Sequence, residues 1–166
     1  MSNLIQKIKS REIAISLTTF NLIVAIWLGL CLNFEFLQKV QSLTPYQGLK
    51  AQLFIVATGF ILIAIYNFLL QILDWKWTAK FLVFIGGFSA YFVSSLGVVI
   101  SPDQIQNIAQ TDPAEAGDLF SLQLVIWTIF FVVLPIILIL WIRIKPEKLL
   151  KTIALKGANI VGSFVL

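Results

Sequence analysis

The chain has 166 residues, of which 59% are apolar and 12% are charged, and its mean hydropathy is +0.94. Soluble domains average roughly 45–50% apolar and about 25% charged residues, so the composition excludes an ordinary soluble fold and indicates a membrane protein with several spans. The net charge is +4, histidine is absent, and Cys31 is the single cysteine. These counts exclude an internal disulfide and argue against a zinc site, because zinc is bound mainly by histidine and cysteine.

Four apolar stretches are long enough to cross a bilayer as helices, since a span needs about 20 mainly apolar residues at roughly 1.5 Å each. They are residues 13–33, 51–73, 79–100 and 121–142. A fifth apolar segment, 152–166, is interpreted as a span cut short at its far end, and a helix lying on the membrane surface is the alternative. The expected fold class is an all-α integral membrane protein with four complete transmembrane helices and a fifth, truncated one.

The distribution of lysine and arginine predicts the orientation. Two of these residues, Lys39 and Lys50, lie in the loop 34–50, and the loop 101–120 has none. The other ten lie in the N-terminal tail and around the second and fourth loops. Cytoplasmic loops are enriched in positive charge. We therefore expect a cytoplasmic N-terminus, and we expect the two loops with little lysine or arginine to lie outside. The basic charge is therefore a topology signal, and no nucleic-acid partner is expected.

Two features inside the predicted spans concern helix packing. Gly86, Ala90 and Ser94 recur every four residues and predict a small face for close helix contact. Pro135 lacks the N–H that would bond to the carbonyl of Phe131, and this predicts a kink in the fourth span.

A polar cluster is predicted within the second span. Asn67 and Gln71 lie one helical turn apart, and Asp74 follows at the end of the span. Such a cluster can mark a substrate path through a membrane. Hydrogen bonding between helices is the alternative, and it is favoured.

The first outward loop, 34–50, predicts a short amphipathic helix that ends near Pro45. Glu35 and Lys39 are spaced as an i,i+4 ion pair on one face. The helix could rest on the outer leaflet or form part of a lipid-binding wall, and the sequence favours the surface position. The apolar residues of the helix share another face: Phe36, Leu37, Val40 and Leu43.

The loop 101–120 contains two helix-capping patterns. Ser-Pro-Asp-Gln occupies 101–104 and Asp-Pro-Ala-Glu occupies 112–115, each with a capping residue, a proline at the first helical position and an amide or carboxylate side chain two residues later. Pro113 also lacks the N–H that a continuous helix would need. We therefore predict two short helices that meet near Thr111.

Asn107 and Glu115 are the candidate binding residues of this loop. An amide and a carboxylate held just above a bilayer could bind a primary ammonium head group through charge-assisted hydrogen bonds. The alternative, which spacing alone favours, is that Glu115 only caps a helix. Thr111 has no histidine or lysine beside it to activate its hydroxyl. No catalytic residue and no metal ligand are therefore predicted in this chain.

A signature in this loop carries a family resemblance. It closely resembles the N-terminal membrane domain of lipid A phosphoethanolamine transferases, a family that includes chromosomal enzymes and the mobile colistin-resistance enzymes. The likeness extends over essentially the whole chain. The signature reads Ile105-Gln106-Asn107-x-x-Gln110-Thr111-Asp112-x-Ala114-Glu115-x-x-Asp118-Leu119.

The resemblance implies a five-span anchor in the bacterial inner membrane, with short periplasmic helices in its outward loops. It also implies a periplasmic catalytic domain, absent from this chain, that holds zinc and a threonine nucleophile. That domain would move phosphoethanolamine from phosphatidylethanolamine to lipid A, and the less anionic lipid A would bind polymyxins more weakly. The chain alone would be inactive.

The resemblance further implies that Asn107 and Glu115 hold the phosphoethanolamine head group, with Gln110 and Thr111 as possible supporting residues. The expected partners are therefore membrane lipids and the catalytic domain. A non-enzymatic membrane scaffold or a small transporter subunit is the alternative. The four complete predicted spans have no charge at their centres, which argues against a transporter.

Overall fold

The computed structural model of the chain describes residues 13–73, 76–96 and 121–145, together with Gly157, Ala158 and Gly162. Within these ranges most residues are helical. The elements in chain order are β1 (Ala14–Ile15), α1 (Leu17–Ile26), the π-helical turn π1 (Trp27–Cys31), α2 (Phe34–Leu43), α3 (Leu49–Leu73), α4 (Lys76–Leu96), α5 (Leu122–Thr128), the π-helical turn π2 (Ile129–Val133), α6 (Leu134–Trp141) and β2 (Arg143–Ile144).

Several of these helices are long and apolar enough to span a membrane. Within the described ranges three qualify by length and composition: α3, α4 and the continuous run Leu122–Trp141. The run Leu17–Cys31 qualifies together with α2, from which it is bent by 51°, so the described residues hold three or four candidate spans. The predicted fifth span, 152–166, lies outside the described residues except for Gly157, Ala158 and Gly162.

The first predicted span, 13–33, differs from the structure at its beginning. The helix begins only at Leu17, because the Ser16 hydroxyl caps it by accepting a hydrogen bond from the N–H of Thr19 at 3.0 Å. Before the cap, β1 pairs in parallel with β2, and the Arg143 N–H donates to the carbonyl of Ile13 at 3.0 Å. The chain is mostly helical, as predicted, and this two-residue pairing is an exception that hydropathy does not reveal, because it joins segments distant in sequence.

The bend after π1 is held by a side chain. The Asn33 amide donates to the carbonyl of Leu28 at 2.7 Å and to the Tyr66 hydroxyl at 3.3 Å. It thereby satisfies a carbonyl group at the end of the helix. The predicted helix in the first outward loop is present as α2, and it ends at Leu43. Thr44 adopts an extended conformation, as the residue before Pro45 is restricted to do.

α3 packs antiparallel against α1 and π1 through two glycines. A Cβ atom at Gly29 would lie 3.0 Å from the backbone nitrogen of Ile63, so the backbones are close at this crossing. A Cβ atom at Gly59 would lie 3.1 Å from a terminal methyl of Leu30. Helices in lipid associate through such close backbone contacts, because burying apolar side chains there contributes little free energy to association.

The predicted small face of α4 packs against π1 and against Leu32, the residue that follows π1. A Cβ atom at Gly86 would lie 3.2 Å from the side chain of Leu32, and Ala90 is buried. Ser94, the third member, donates its hydroxyl hydrogen bond to the Glu35 carboxylate at 3.4 Å. The prediction that this face makes close helix contact is confirmed.

The neighbouring glycine, which the sequence pattern did not indicate, has even less room for a side chain than Gly86. A Cβ atom at Gly87 would lie only 2.5 Å from a methyl of Val132 in π2. The indole N–H of Trp127 donates to the Gly87 carbonyl at 2.9 Å. The first contact depends on the absence of a side chain at Gly87, and the second holds the same two helices together through the backbone.

The predicted kink at Pro135 takes the form of a π-helical turn. Immediately before the proline, the N–H of Leu134 bonds to the carbonyl of Ile129, five residues back. This local widening is a known way for a helix to accommodate a break in its hydrogen-bond ladder. The span Leu122–Trp141 remains continuous through it.

We predict that Gly87→Ala destabilises the bundle by about 1–3 kcal/mol, the usual cost of overpacking. The new methyl group would meet the β-branched side chain of Val132, which has little rotamer freedom. Thermal unfolding in detergent, followed by circular dichroism, measures the effect. Gly59→Ala is the matched control, because its methyl group meets only the rotatable end of Leu30. Equal effects of the two substitutions would contradict the conclusion that Gly87 has less room for a side chain than Gly59.

Candidate functional site

Hydrogen bonds between elements define two ends of the bundle. At the first, which we call the Glu35 end, Ser94 bonds to Glu35 and the hydroxyls of Tyr91 and Ser121 lie 2.9 Å apart. At the second, which we call the β end, β1 pairs with β2 and the Lys76 ammonium donates to the carbonyl of Ile142. α4 therefore ends, and α5 begins, at the Glu35 end.

The residues predicted to bind the head group belong to the segment that connects these two helices. Asn107, Gln110, Thr111 and Glu115 lie outside the described residues, as do the two short helices predicted for 101–120. Their roles stay predictions. The structure does place both attachment points of the segment, the end of α4 and the start of α5, at the Glu35 end.

Ser121 holds the second attachment point in two ways. Its hydroxyl accepts a hydrogen bond from the N–H of Leu124 at 3.1 Å, which caps α5. The same hydroxyl contacts the Tyr91 hydroxyl of α4. One side chain thus begins the helix and ties it to its neighbour, so the start of α5 is fixed relative to the end of α4.

Glu35 lies in the first turn of α2, and its contacts differ from the prediction. The expected ion pair with Lys39 is not formed, so that prediction is wrong. The structure records no ion pair for Glu35 among the described residues, and its carboxylate accepts a hydrogen bond from Ser94. The cause is the 51° bend after π1, which lays the first turn of α2 against α4. Glu35 is half-buried there, whereas Lys39 is exposed.

Glu35 is also one of the residues that line a cavity of about 300 Å³. Glu35 is the single charged side chain among the described residues that line it, and the rest of the wall is apolar or aromatic. The volume is at the lower limit of typical ligand pockets. The lining includes residues from α2, α4, α5 and both π turns: Cys31, Phe34, Ala90, Trp127 and Phe131.

The aromatic wall of the cavity is held in place by stacking. The rings of Trp127 and Phe131 are nearly parallel, with centroids 4.1 Å apart. Trp27 and Tyr91 contact the same pair of rings at centroid distances of 5.8 and 6.0 Å. Because Trp127 is also hydrogen-bonded to the Gly87 carbonyl, it has a fixed orientation. The wall is therefore preformed.

A second group of polar residues is buried nearer the β end. Asn21, Asn67 and Gln71 are all buried, and the Asn21 amide donates to the carbonyl of Leu70 at 3.2 Å. This bond links α1 to α3. Neither amide atom of Gln71, which is 3% exposed, has a hydrogen-bond partner among the described residues.

Sequence reasoning indicated Asn67 and Gln71 but missed Asn21. The signal was present, since Asn21 is a lone amide inside the first apolar stretch. The bond from Asn21 goes to the backbone carbonyl of Leu70, so the interpretation of Asn67 and Gln71 as hydrogen bonding between helices stays a prediction. The remaining member of the predicted cluster, Asp74, lies outside the described residues.

The sequence is similar to known enzymes. The family model described as phosphoethanolamine transferase EptA/EptB matches residues 61–166. The phosphoethanolamine transferases EptA of Escherichia coli O157:H7 and of Escherichia coli K12 are each 28% identical to the chain over 158 residues. The EptA of Salmonella typhimurium is 25% identical over 129 residues. The alignment with each Escherichia coli enzyme covers 92% of this chain but 29% of the relative.

The fold also matches a solved structure. The integral membrane protein lipooligosaccharide phosphoethanolamine transferase A (EptA) from Neisseria meningitidis aligns with a TM-score of 0.79. The alignment covers 92% of this chain and 30% of that chain at 20% identity, so it establishes the fold alone. The family model, in contrast, covers more than half of the sequence, including the predicted head-group signature. The chain belongs to the EptA/EptB family of phosphoethanolamine transferases.

Proposed function

We propose that the chain is the membrane-anchoring and lipid-recognition part of an enzyme that transfers phosphoethanolamine from phosphatidylethanolamine to lipid A. The family match over residues 61–166 is the observation that carries this proposal. The fold adds support, since it is that of an integral membrane phosphoethanolamine transferase over 92% of the chain. The alternative of a scaffold or transporter subunit has no comparable support.

The proposal has a simple physical basis. Donor and acceptor are both lipids, so their reacting groups are confined to the membrane surface. An anchor confines the catalytic groups to the same surface and raises their effective concentration. In this proposal zinc and the threonine nucleophile belong to a periplasmic domain outside the 166 residues, and the 166 residues alone are inactive. Adding a cationic head group to lipid A lowers its negative charge and weakens the binding of colistin.

Within the anchor, we assign the head group of the donor to the segment between α4 and α5. The Glu115 carboxylate would accept hydrogen bonds from the ammonium group, and the Asn107 amide would donate to a phosphate oxygen. Gln110 and Thr111 would support them. The position of Ser121 beside Tyr91 supports this assignment, because both ends of the segment then lie at one end of the bundle.

We place the Glu35 end at the periplasmic face of the bacterial inner membrane, and the N-terminus and β end in the cytoplasm. The charge distribution supports this orientation. Lys76, Arg143 and Lys145 lie at the β end, and the segment 97–120 contains no lysine or arginine. Cytoplasmic segments of membrane proteins carry the excess of positive charge.

We predict that green fluorescent protein fused after Lys145 is fluorescent and that alkaline phosphatase fused there is inactive. After Thr44 we expect the reverse result. Paired alkaline phosphatase and green fluorescent protein fusions measure both positions. A periplasmic signal after Lys145 would contradict the orientation but leave the family assignment intact.

We predict that Glu115→Gln and Asn107→Ala, made in the full-length enzyme, each lower kcat/KM for phosphatidylethanolamine by at least about ten-fold, as the loss of a charge-assisted hydrogen bond would. Mass spectrometry of lipid A measures transfer, and immunoblotting of membranes measures the amount of enzyme. Asp103→Asn is the matched control, because it removes a carboxylate of the same loop that is not among the predicted binding residues. Full modification of lipid A by both variants would show that the pair does not hold the head group.

A further inference from the structure

Four cationic side chains, Lys76, Lys80, Arg143 and Lys145, form a surface at the β end, which we call the basic surface. We propose that the basic surface binds anionic glycerophospholipids, such as phosphatidylglycerol, in the leaflet around the β end. It lies at the opposite end of α4 from the segment proposed to hold the substrate head group. The inference therefore goes beyond the proposed function and does not rest on it.

The fold brings these cations together from segments distant in sequence. The ammonium of Lys76, the first residue of α4, donates to the carbonyl of Ile142, which directly precedes Arg143. Lys80 follows one helical turn along α4, on the same side of the helix. A topology signal requires only that such residues lie on one side of the membrane. Here they also converge where α4 meets the start of β2.

The strand β2 directs two of the cations outward. Alternate side chains of an extended strand point to opposite faces. Ile144 packs against the core, whereas Arg143 and Lys145 on either side of it are exposed. The strand pairing uses backbone groups, since the Lys145 N–H donates to the carbonyl of Ile15 at 2.9 Å. The two cationic side chains are therefore presented to the surroundings and are not needed for the pairing.

The positive charge of the basic surface is not balanced by nearby carboxylates of the described residues. Glu35 is the one carboxylate in the ranges 13–73, 76–96 and 121–145, and it lies at the other end of the bundle. The stretches that adjoin the β end in sequence, 7–12, 74–75 and 146–151, add more cations than carboxylates. The five cations are Lys7, Lys9, Arg11, Lys148 and Lys151, and the three carboxylates are Glu12, Asp74 and Glu147.

Trp77 places the basic surface at the level of the lipid head groups. Its side chain is 69% exposed, and the Lys80 ammonium lies 3.3 Å from the centroid of its ring. Tryptophan is enriched at membrane–water interfaces, where its ring contacts both hydrocarbon and head groups. A cation held over this ring lies close to the lipid phosphates. The basic surface is therefore better placed for a membrane lipid than for a soluble anion or a nucleic acid.

The chemistry of the basic surface favours a head group with net negative charge. The Ile142 carbonyl is the one recorded acceptor of Lys76 among the described residues, so two of its three N–H groups can bind phosphate oxygens. Head groups that contain an ammonium as well as a phosphate have no net charge, and that ammonium would be repelled by the four cations. Phosphatidylglycerol has only the phosphate charge. Basic pockets between membrane helices are known to bind such anionic head groups.

Native mass spectrometry of the 166-residue chain in detergent tests the proposal. The chain is mixed with equimolar dioleoyl phosphatidylglycerol and dioleoyl phosphatidylcholine, which differ only in the head group, and the retained lipids are counted. We expect phosphatidylglycerol to be retained at least about ten-fold more, the ratio expected for one charge-assisted hydrogen bond. Equal retention of the two lipids would overturn the proposal.

The double variant Arg143→Gln, Lys145→Gln provides the decisive comparison. We expect it to retain the two lipids equally. The matched control is Lys39→Gln, Lys50→Gln, which removes the same number of cations from exposed positions at the other end of the bundle. Its preference for phosphatidylglycerol should be unchanged. If both double variants lose the preference equally, the net charge of the chain is the cause and the basic surface is refuted. A preference that survives in Arg143→Gln, Lys145→Gln would also overturn the proposal.

Lys80→Gln tests the same surface from α4, without any change in β2. We expect it to lower the preference about five-fold, the effect of one basic residue near an anionic lipid surface. An unchanged preference would show that α4 and β2 do not share a site, and would overturn the proposal.

Thermal unfolding in detergent separates lipid binding from effects on folding. Because a ligand of the folded state stabilises it, phosphatidylglycerol should raise the Tm of the unsubstituted chain and of Lys39→Gln, Lys50→Gln. It should leave the Tm of Arg143→Gln, Lys145→Gln unchanged, while the three proteins unfold at similar temperatures without lipid. An equal rise of Tm in all three proteins would contradict binding at the basic surface.

Discussion

The close approach of α4 to the last span at Gly87 is the constraint on which the rest of the Glu35 end depends. Because Gly87 has no side chain, Val132 can pack against its backbone, and at this close approach Trp127 donates to its carbonyl. Once Trp127 is fixed, its stacking fixes Phe131, and the two rings form one wall of the cavity. A side chain at Gly87 would separate the helices and change the spacing along their whole contact. Helices in lipid need such close contacts, because apolar burial gives little drive for their association.

Both π-helical turns adjoin this cavity, and each contributes a lining residue. Cys31 ends π1 and Phe131 is the centre of π2. An extra residue in a turn rotates the following side chains relative to an ideal α-helix, and such turns are frequent at functional sites. In π2 the adjacent Pro135 gives a local cause for the widening. In π1 there is no proline, and the Asn33 amide instead binds the freed Leu28 carbonyl. Two different local causes therefore shape the same cavity.

The sequence predicted the helices well where composition alone decides. The second span, predicted at 51–73, is Leu49–Leu73, and the amphipathic helix before Pro45 is Phe34–Leu43. A long apolar run has few alternatives in a membrane, because its backbone must satisfy its own hydrogen bonds. The helix ends, in contrast, depend on individual caps. Ser16 shortened the first helix relative to the apolar run from Ile13 because its hydroxyl competes for a backbone N–H.

The site was predicted less completely, since it depends on contacts between segments distant in sequence. The i,i+4 spacing of Glu35 and Lys39 describes an isolated helix, and the bend before α2 turned the carboxylate toward Ser94 instead. Periodicity indicated Gly86 as a contact residue but could not distinguish it from Gly87, which faces a different helix.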